Sequence, residues 1–149
     1  MEITFTINQA DVYKEVAQTT SYTGAKMSDD VNAYERIFTT DEDQNQLERF
    51  WNESRSEIAQ SFTSKLVEEE YDEPNYTLVL DVSSSFETSL KPSMQLSLFS
   101  FFVQSIAAKW YVFTNKKEAG EYADRATALL DDMRQKAFYK KKPTRPTYN

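Results

Sequence analysis

The chain has 149 residues, among them ten Phe, nine Tyr and two Trp, but only two Gly, four Pro, no Cys and no His. Without Cys or His it has no disulfide, no thiolate metal site and no thiol nucleophile, and it lacks the commonest general base and metal ligand; neither an enzyme nor a bound metal or cofactor is expected. The net charge of −7 is uneven: residues 136–149 carry five bases (Lys136, Lys140, Lys141, Lys142, Arg145) and no acid, which leaves −12 on the rest, a body that repels nucleic acid except at its basic end.

The length suggests one domain, 1–139, followed by a basic, Pro-containing tail, 140–149. A chain of this size can bury ~70% of its unfolded surface. MEITFTINQ has no basic region and no long apolar run, so it does not read as a secretory signal. Ile3, Phe5 and Ile7 alternate with polar residues, which predicts a half-buried strand over 2–7. Asn8 then reads as an N-cap, with Ile7 and Val12 placed as a hydrophobic staple. The helix that follows, with Val12, Tyr13, Val16 and Ala17 on one face, is expected to fade between Thr19 and Gly24. Ser28 caps a second, short helix with the stripe Val31, Tyr34, Ile37, Phe38. Asp41 and Gln44 resemble a capping box for a longer one, whose stripe is Leu47, Phe50, Trp51, Ser54, Ile58, Phe62 and Leu66. Its outer face, with Glu48, Arg49, Glu53, Arg55 and Glu57, reads as a solvated surface.

EEEYDEPN (68–75) reads as a loop from its charge run and Pro74. Tyr76, Leu78 and Leu80 predict a strand over 76–82, paired either with 2–7 or, through a turn at Ser83–Ser85, with a weaker strand at 86–90. The stretch PSMQLSLFSFFVQSIAAKWYVF (92–113) organises the chain. It has no Gly, its one Pro stands where a helix tolerates it, and its apolar residues cover most of a helix circumference. Gln95, Gln104, Lys109 and several serines interrupt it, so no run of about 18 apolar residues exists and a membrane span is not expected. After a break at Thr114–Asn115, a last helix over 116–138 carries the stripe Ala119, Tyr122, Ala123, Ala126, Leu129, Leu130, Met133, Ala137 and the i,i+4 pairs Glu121–Arg125 and Asp132–Lys136. The expected fold is mainly α: a helical bundle around the helix at about 92–113, with a small β element from 2–7 and 76–90.

Each candidate constellation has a plain structural account. Asp41, Glu42 and Asp43 lack the alternate spacing and the Gly of a calcium loop and suit a helix start. Glu68, Glu69, Glu70, Asp72 and Glu73 read as a solvated acidic surface, with repulsion of DNA or a basic partner as the functional alternative. Ser83, Ser84 and Ser85 have no His to activate them. Trp51, Trp110 and Tyr111 lie on apolar stripes and read as core. The tail has two readings, a basic helix end favoured by the helix dipole and a docking segment, and the second is preferred: Phe138, Tyr139 and Tyr148 are aromatic, Lys140, Lys141, Lys142 and Arg145 are basic, and Pro143 and Pro146 hold it extended.

Three stretches, SYTGAKM (21–27), IFTTDEDQNQLERFW (37–51) and SLFSFFVQSIAAKWYVFTNKKEAGEYADRATALLDDMRQKAFYKKKPTRP (97–146), carry a resemblance. The chain resembles small structural proteins encoded near the capsid genes of tailed phages and prophages of Bacteroides-type bacteria, and phage head–tail connector (adaptor) proteins among them. The resemblance implies a non-enzymatic virion protein, assembled in the bacterial cytoplasm. Its copies would form a ring between the portal protein and the tail or neck proteins, a terminal segment would dock into the portal, and DNA would pass through the lumen without specific binding. The reading from another class is a small cytosolic regulator that binds protein or nucleic acid through its basic tail.

Overall fold

The alternation of Ile3, Phe5 and Ile7 produces strand β1 (Glu2–Asn8), and all three side chains are buried. Asn8 caps the next element: its Oδ1 accepts the amide of Asp11 at 3.2 Å. The computed structural model describes residues 1–26 and 43–139. The expected helix after Ser28 and the Asp41 cap lie outside them. Beyond β1 come α1 (Gln9–Lys26), α2 (Gln44–Ser61), β2 (Leu66–Asp72), β3 (Asn75–Asp81), α3 (Lys91–Thr114) and α4 (Lys116–Phe138). The fold is mainly α with a small antiparallel sheet, as the sequence predicts. Helix α1 runs on to Lys26 instead of fading between Thr19 and Gly24. On its inner face Val12 and Val16 are buried, and the Thr20 hydroxyl donates to the Val16 carbonyl at 2.9 Å.

The sheet corrects two expectations. Its order is β1-β3-β2, so the hairpin partner of β3 lies upstream, in 66–72, the stretch whose charge run reads as an acidic loop. Only Glu73 and Pro74 form the turn, joined by a cis peptide bond. The alternation in β2 is hidden by a bulge between Leu66 and Glu68, which shifts its parity, and by a glutamate on the inner side. Leu66, Glu69 and Tyr71 sit opposite Leu80, Leu78 and Tyr76. Residues 86–90 form no strand. The Ser83 side chain accepts the amide of Ser85, its carbonyl accepts the amide of Phe86, and the Glu87 carboxylate accepts the amide of Ser89. These local bonds turn the chain into a 3-10 segment at Thr88–Leu90 that leads into α3.

Helix α3 packs against α1, α2, α4 and β1. Met94, Leu98, Phe102, Ile106 and Tyr111 are fully covered. By length and composition alone the helix from Thr88 to Thr114 suits a bilayer crossing; protein packing around most of its circumference accounts for the same apolarity. Lys91 and Pro92 open it, and Asn115 alone separates it from α4, whose first turn starts with the amides of Glu118 and Ala119 donating to the Asn115 carbonyl. Helices α3 and α4 therefore form an antiparallel hairpin about the break expected at Thr114–Asn115. Of the expected core aromatics, Trp51 and Tyr111 are fully buried, and Trp110 is partly exposed, packed against the core from its edge.

Trp51 on α2 is the hub of an aromatic cluster. Its ring stacks on Phe102 at 4.2 Å between centroids and meets Tyr13, Tyr71 and Tyr76 at 6.4, 5.7 and 5.9 Å. Tyr71 donates to Gln9 Oε1 at 2.6 Å, and Gln9 Nε2 donates to the Tyr13 hydroxyl at 2.9 Å. The Tyr76 hydroxyl is buried and has no hydrogen-bond partner among the described residues. Burial pushes the phenols of both Tyr76 and Tyr13 well above their ordinary value near 10, with Glu69 adding to the effect at Tyr76 and Tyr71 at Tyr13. Two outcomes are expected. Tyr76→Phe removes a buried polar atom that has no partner, so it should be neutral or stabilise by up to about 1 kcal/mol in urea unfolding; a loss above that would mean the hydroxyl is bonded. Because the folded values are raised, the stability these tyrosines contribute is complete below pH 10 and is lost as pH rises beyond it, where only the unfolded chain releases its protons. Phenolate absorbance should therefore rise for these two residues together with loss of helix signal, not before it.

Candidate docking surfaces

Three surface features emerge from this frame. The first is the end of α4. Its apolar stripe closes at Ala137, which is buried, and Phe138 and Tyr139 follow at 49% and 50% exposure. The Lys65 ammonium sits 4.5 Å from the centre of the Phe138 ring. Tyr139 leaves the helix in extended backbone, with φ −69° and ψ 135°. A polar strip pins this end to the start of α3: Lys136 Nζ is 2.8 Å from Asp132 and 2.6 Å from Ser93 Oγ, and Ser97 Oγ reaches Asp132 at 3.4 Å. Tyr139 lines a hollow of about 450 Å³ beside Leu90, Glu87 and Gln135. Of the residues that the sequence assigns to docking, the structure places the neighbours Phe138 and Tyr139 half exposed at the end of α4; Lys140, Lys141, Lys142, Arg145 and Tyr148 lie outside the described residues.

The second feature is a groove of about 580 Å³ between α2, α3 and α4. Phe101, Val112 and Leu130 supply apolar wall, and Ala119, Gly120 and Ala123 keep the α4 side low. At its α2 edge, Lys109 Nζ bonds Glu57 at 2.9 Å and Ser105 Oγ at 2.7 Å, and Ser105 in turn bonds Ser54 at 2.8 Å, so the seam between α2 and α3 is a continuous polar chain. Asp131 stands exposed at the groove's other end, with no ion-pair partner among the described residues. At the end of α3, Phe113 is 70% exposed although it stacks on Phe50 at 6.4 Å. Sequence reasoning misses this groove, because its walls come from three helices and no local spacing joins them. The one signal is Gly120, a glycine inside a helix.

The third feature is the outer face of the sheet. Glu2, Glu68, Glu70, Asp72 and Asp81 are exposed there. The Met1 amine lies 3.1 Å from Asp81. Glu68, two residues from Glu70 on the same strand face, hydrogen-bonds it and repels its charge, which raises the Glu70 carboxyl above its ordinary range; Asp72 adds to this. Among the described residues no three acids converge in a geometry that would hold a metal. Glu69 differs from its neighbours in facing inward, where Arg55 Nε meets it at 2.7 Å and Arg55 Nη2 at 3.3 Å. The Arg55 guanidinium also lies 5.0 Å from the Tyr71 ring centre and 5.9 Å from that of Tyr76.

Comparison with protein families, with curated proteins and with solved structures finds no match to this chain.

Proposed function

We propose that the chain is a non-enzymatic structural subunit of a tailed-phage virion: a head–tail connector (adaptor) whose copies form a ring between portal and tail. The observation that carries this reading is the corner at Phe138 and Tyr139. The domain's core closes at Ala137, and the next two aromatics are half exposed on a helix end that Asp132, Lys136 and Ser93 hold in place. A fixed pair of exposed aromatics leading into a basic segment is suited to anchoring on a neighbouring protein, with the aromatics supplying affinity and the charges orientation and on-rate. The acidic sheet face suits a surface that lets DNA pass without holding it. The family resemblance supplies the particle, the portal-side and tail-side partners and the ring; the residues supply the docking element.

The test is the assembly state of the full chain, by native mass spectrometry and electron microscopy, together with its recovery in particles purified from the host. Closed rings, or incorporation into the neck of such particles, are expected. A monomer or dimer that is absent from particles and binds nucleic acid through its tail would overturn the reading in favour of a regulator.

A further inference from the structure

We propose that the groove between α2, α3 and α4 is the receptor for residues 139–148 of a second copy of this chain. This rests on the reading of the chain as a ring-forming subunit and names the contact that would build the ring.

Gly120 points to an external occupant. A glycine inside a helix costs about 1 kcal/mol relative to alanine, yet a Cβ at Gly120 would meet nothing within 4 Å. The subunit's own packing does not require the missing side chain; a chain lying in the groove, against the low wall of Ala119, Gly120 and Ala123, would account for it. Charge selects the occupant. Asp131 and Glu57 edge the groove, and Lys109 answers only Glu57. The chain contains no acid after Asp132, and its end carries Lys140, Lys141, Lys142 and Arg145. Reach is sufficient: ten residues beyond Tyr139 extend over roughly 33 Å, whereas the groove wall from Ala119 to Asp131 runs about 18 Å along α4.

The donor is another copy rather than the same one. Tyr139 already directs the chain away from α4 in extended backbone. Pro143 and Pro146 bias Lys142 and Arg145, the residues before them, toward extended backbone as well. A return to the chain's own groove would need the chain to reverse its course along α4 after Tyr139, through a segment that opens with three consecutive lysines. A contact that joins one face of a subunit to a different face of the next is heterologous, and it closes into a ring when its rotation divides the circle.

The experiment uses three variants of the full chain, each checked by thermal unfolding. Gly120→Trp fills the groove at a position where the fold leaves open space and where tryptophan is a better helix former than glycine. Asp131→Lys reverses the charge at the groove's end. A third variant stops after Tyr139. Each should unfold like the wild type and self-associate at least tenfold more weakly in sedimentation. Mixing the groove-filled variant, which keeps its tail, with the tail-less variant, which keeps its groove, should give a 1:1 heterodimer that grows no further. Rings that persist in Gly120→Trp would overturn this contact and leave the connector reading standing. A wild-type chain that stays monomeric at every concentration, absent from particles, would overturn both. A monomer whose tail amides are protected by its own groove would overturn the proposal in favour of an intramolecular clasp.

Discussion

Trp51→Ala is expected to cost about 3–5 kcal/mol, the range for removing a large aromatic from a packed core, and to lower the melting temperature by roughly 10 °C. Trp51 has no exposed surface and meets rings from four elements at once: Phe102 from α3, Tyr13 from α1, and Tyr71 and Tyr76 from strands β2 and β3. Its removal leaves a void with walls on four elements, none of which can move inward without dragging its own partners. Trp51→Phe should be far milder. It keeps most of the stack on Phe102 and deletes an indole N–H that has no hydrogen-bond partner among the described residues. Urea unfolding of the two variants measures the difference. A Trp51→Ala loss below 1 kcal/mol would mean that α2 is not held against α3 and the sheet as described.

The second large effect is expected at Arg55. Breaking a buried ion pair from one side typically costs 3–5 kcal/mol, since the remaining charge stays desolvated. Here both side chains keep about a fifth of their surface in water, and solvent screening reduces the figure, so Arg55→Ala should cost about 2–3 kcal/mol. Part of that is stem packing and the face-on contact with Tyr71 and Tyr76. Replacing both partners, Arg55→Met with Glu69→Leu, should destabilise less than Arg55→Ala alone, because no carboxylate is then stranded beside the two tyrosines. A double-mutant cycle measures the coupling directly: about 1–2 kcal/mol is expected, and strict additivity would show that the pair contributes nothing to holding β2 against α2.

These two positions also show how far the sequence is readable. The burial of Trp51 follows from the sequence alone, since Leu47, Phe50, Trp51, Ser54, Ile58 and Phe62 repeat at helical spacing and all six are buried. The same stripe overruns its helix, because Leu66 continues the spacing but belongs to β2. Periodicity records which residues face inward; it does not record where the backbone changes from helix to strand. In sequence, Arg55 and Glu69 look like surface charges. Their partnership is set by the bulge in β2, which turns one glutamate of three inward, and a bulge leaves no mark in composition. The cap at Asn8, the α3–α4 turn and the end of α4's stripe at Ala137 are legible because each depends on residues within a turn of one another. The groove is not, because it is a property of three helices packed at once. Phe138 and Tyr139 stand on an exposed corner because they fall just past that stripe; whether they dock is what the assembly experiments decide.

The sheet order has a consequence for synthesis. β1 is made first, but its only strand partner among the described residues is β3, roughly 70 residues further along the chain. At roughly 5–20 residues per second, Ile3, Phe5 and Ile7 wait several seconds before the backbone that pairs with them exists. Nor can β2 take them in the meantime, since β3 lies between the two strands in the sheet. The α3–α4 hairpin, joined through Asn115, closes by contacts between near neighbours and needs no such delay. The nascent chain thus carries an apolar strand ahead of its template, and capture of that strand by β3 is the step that commits its two ends to one body.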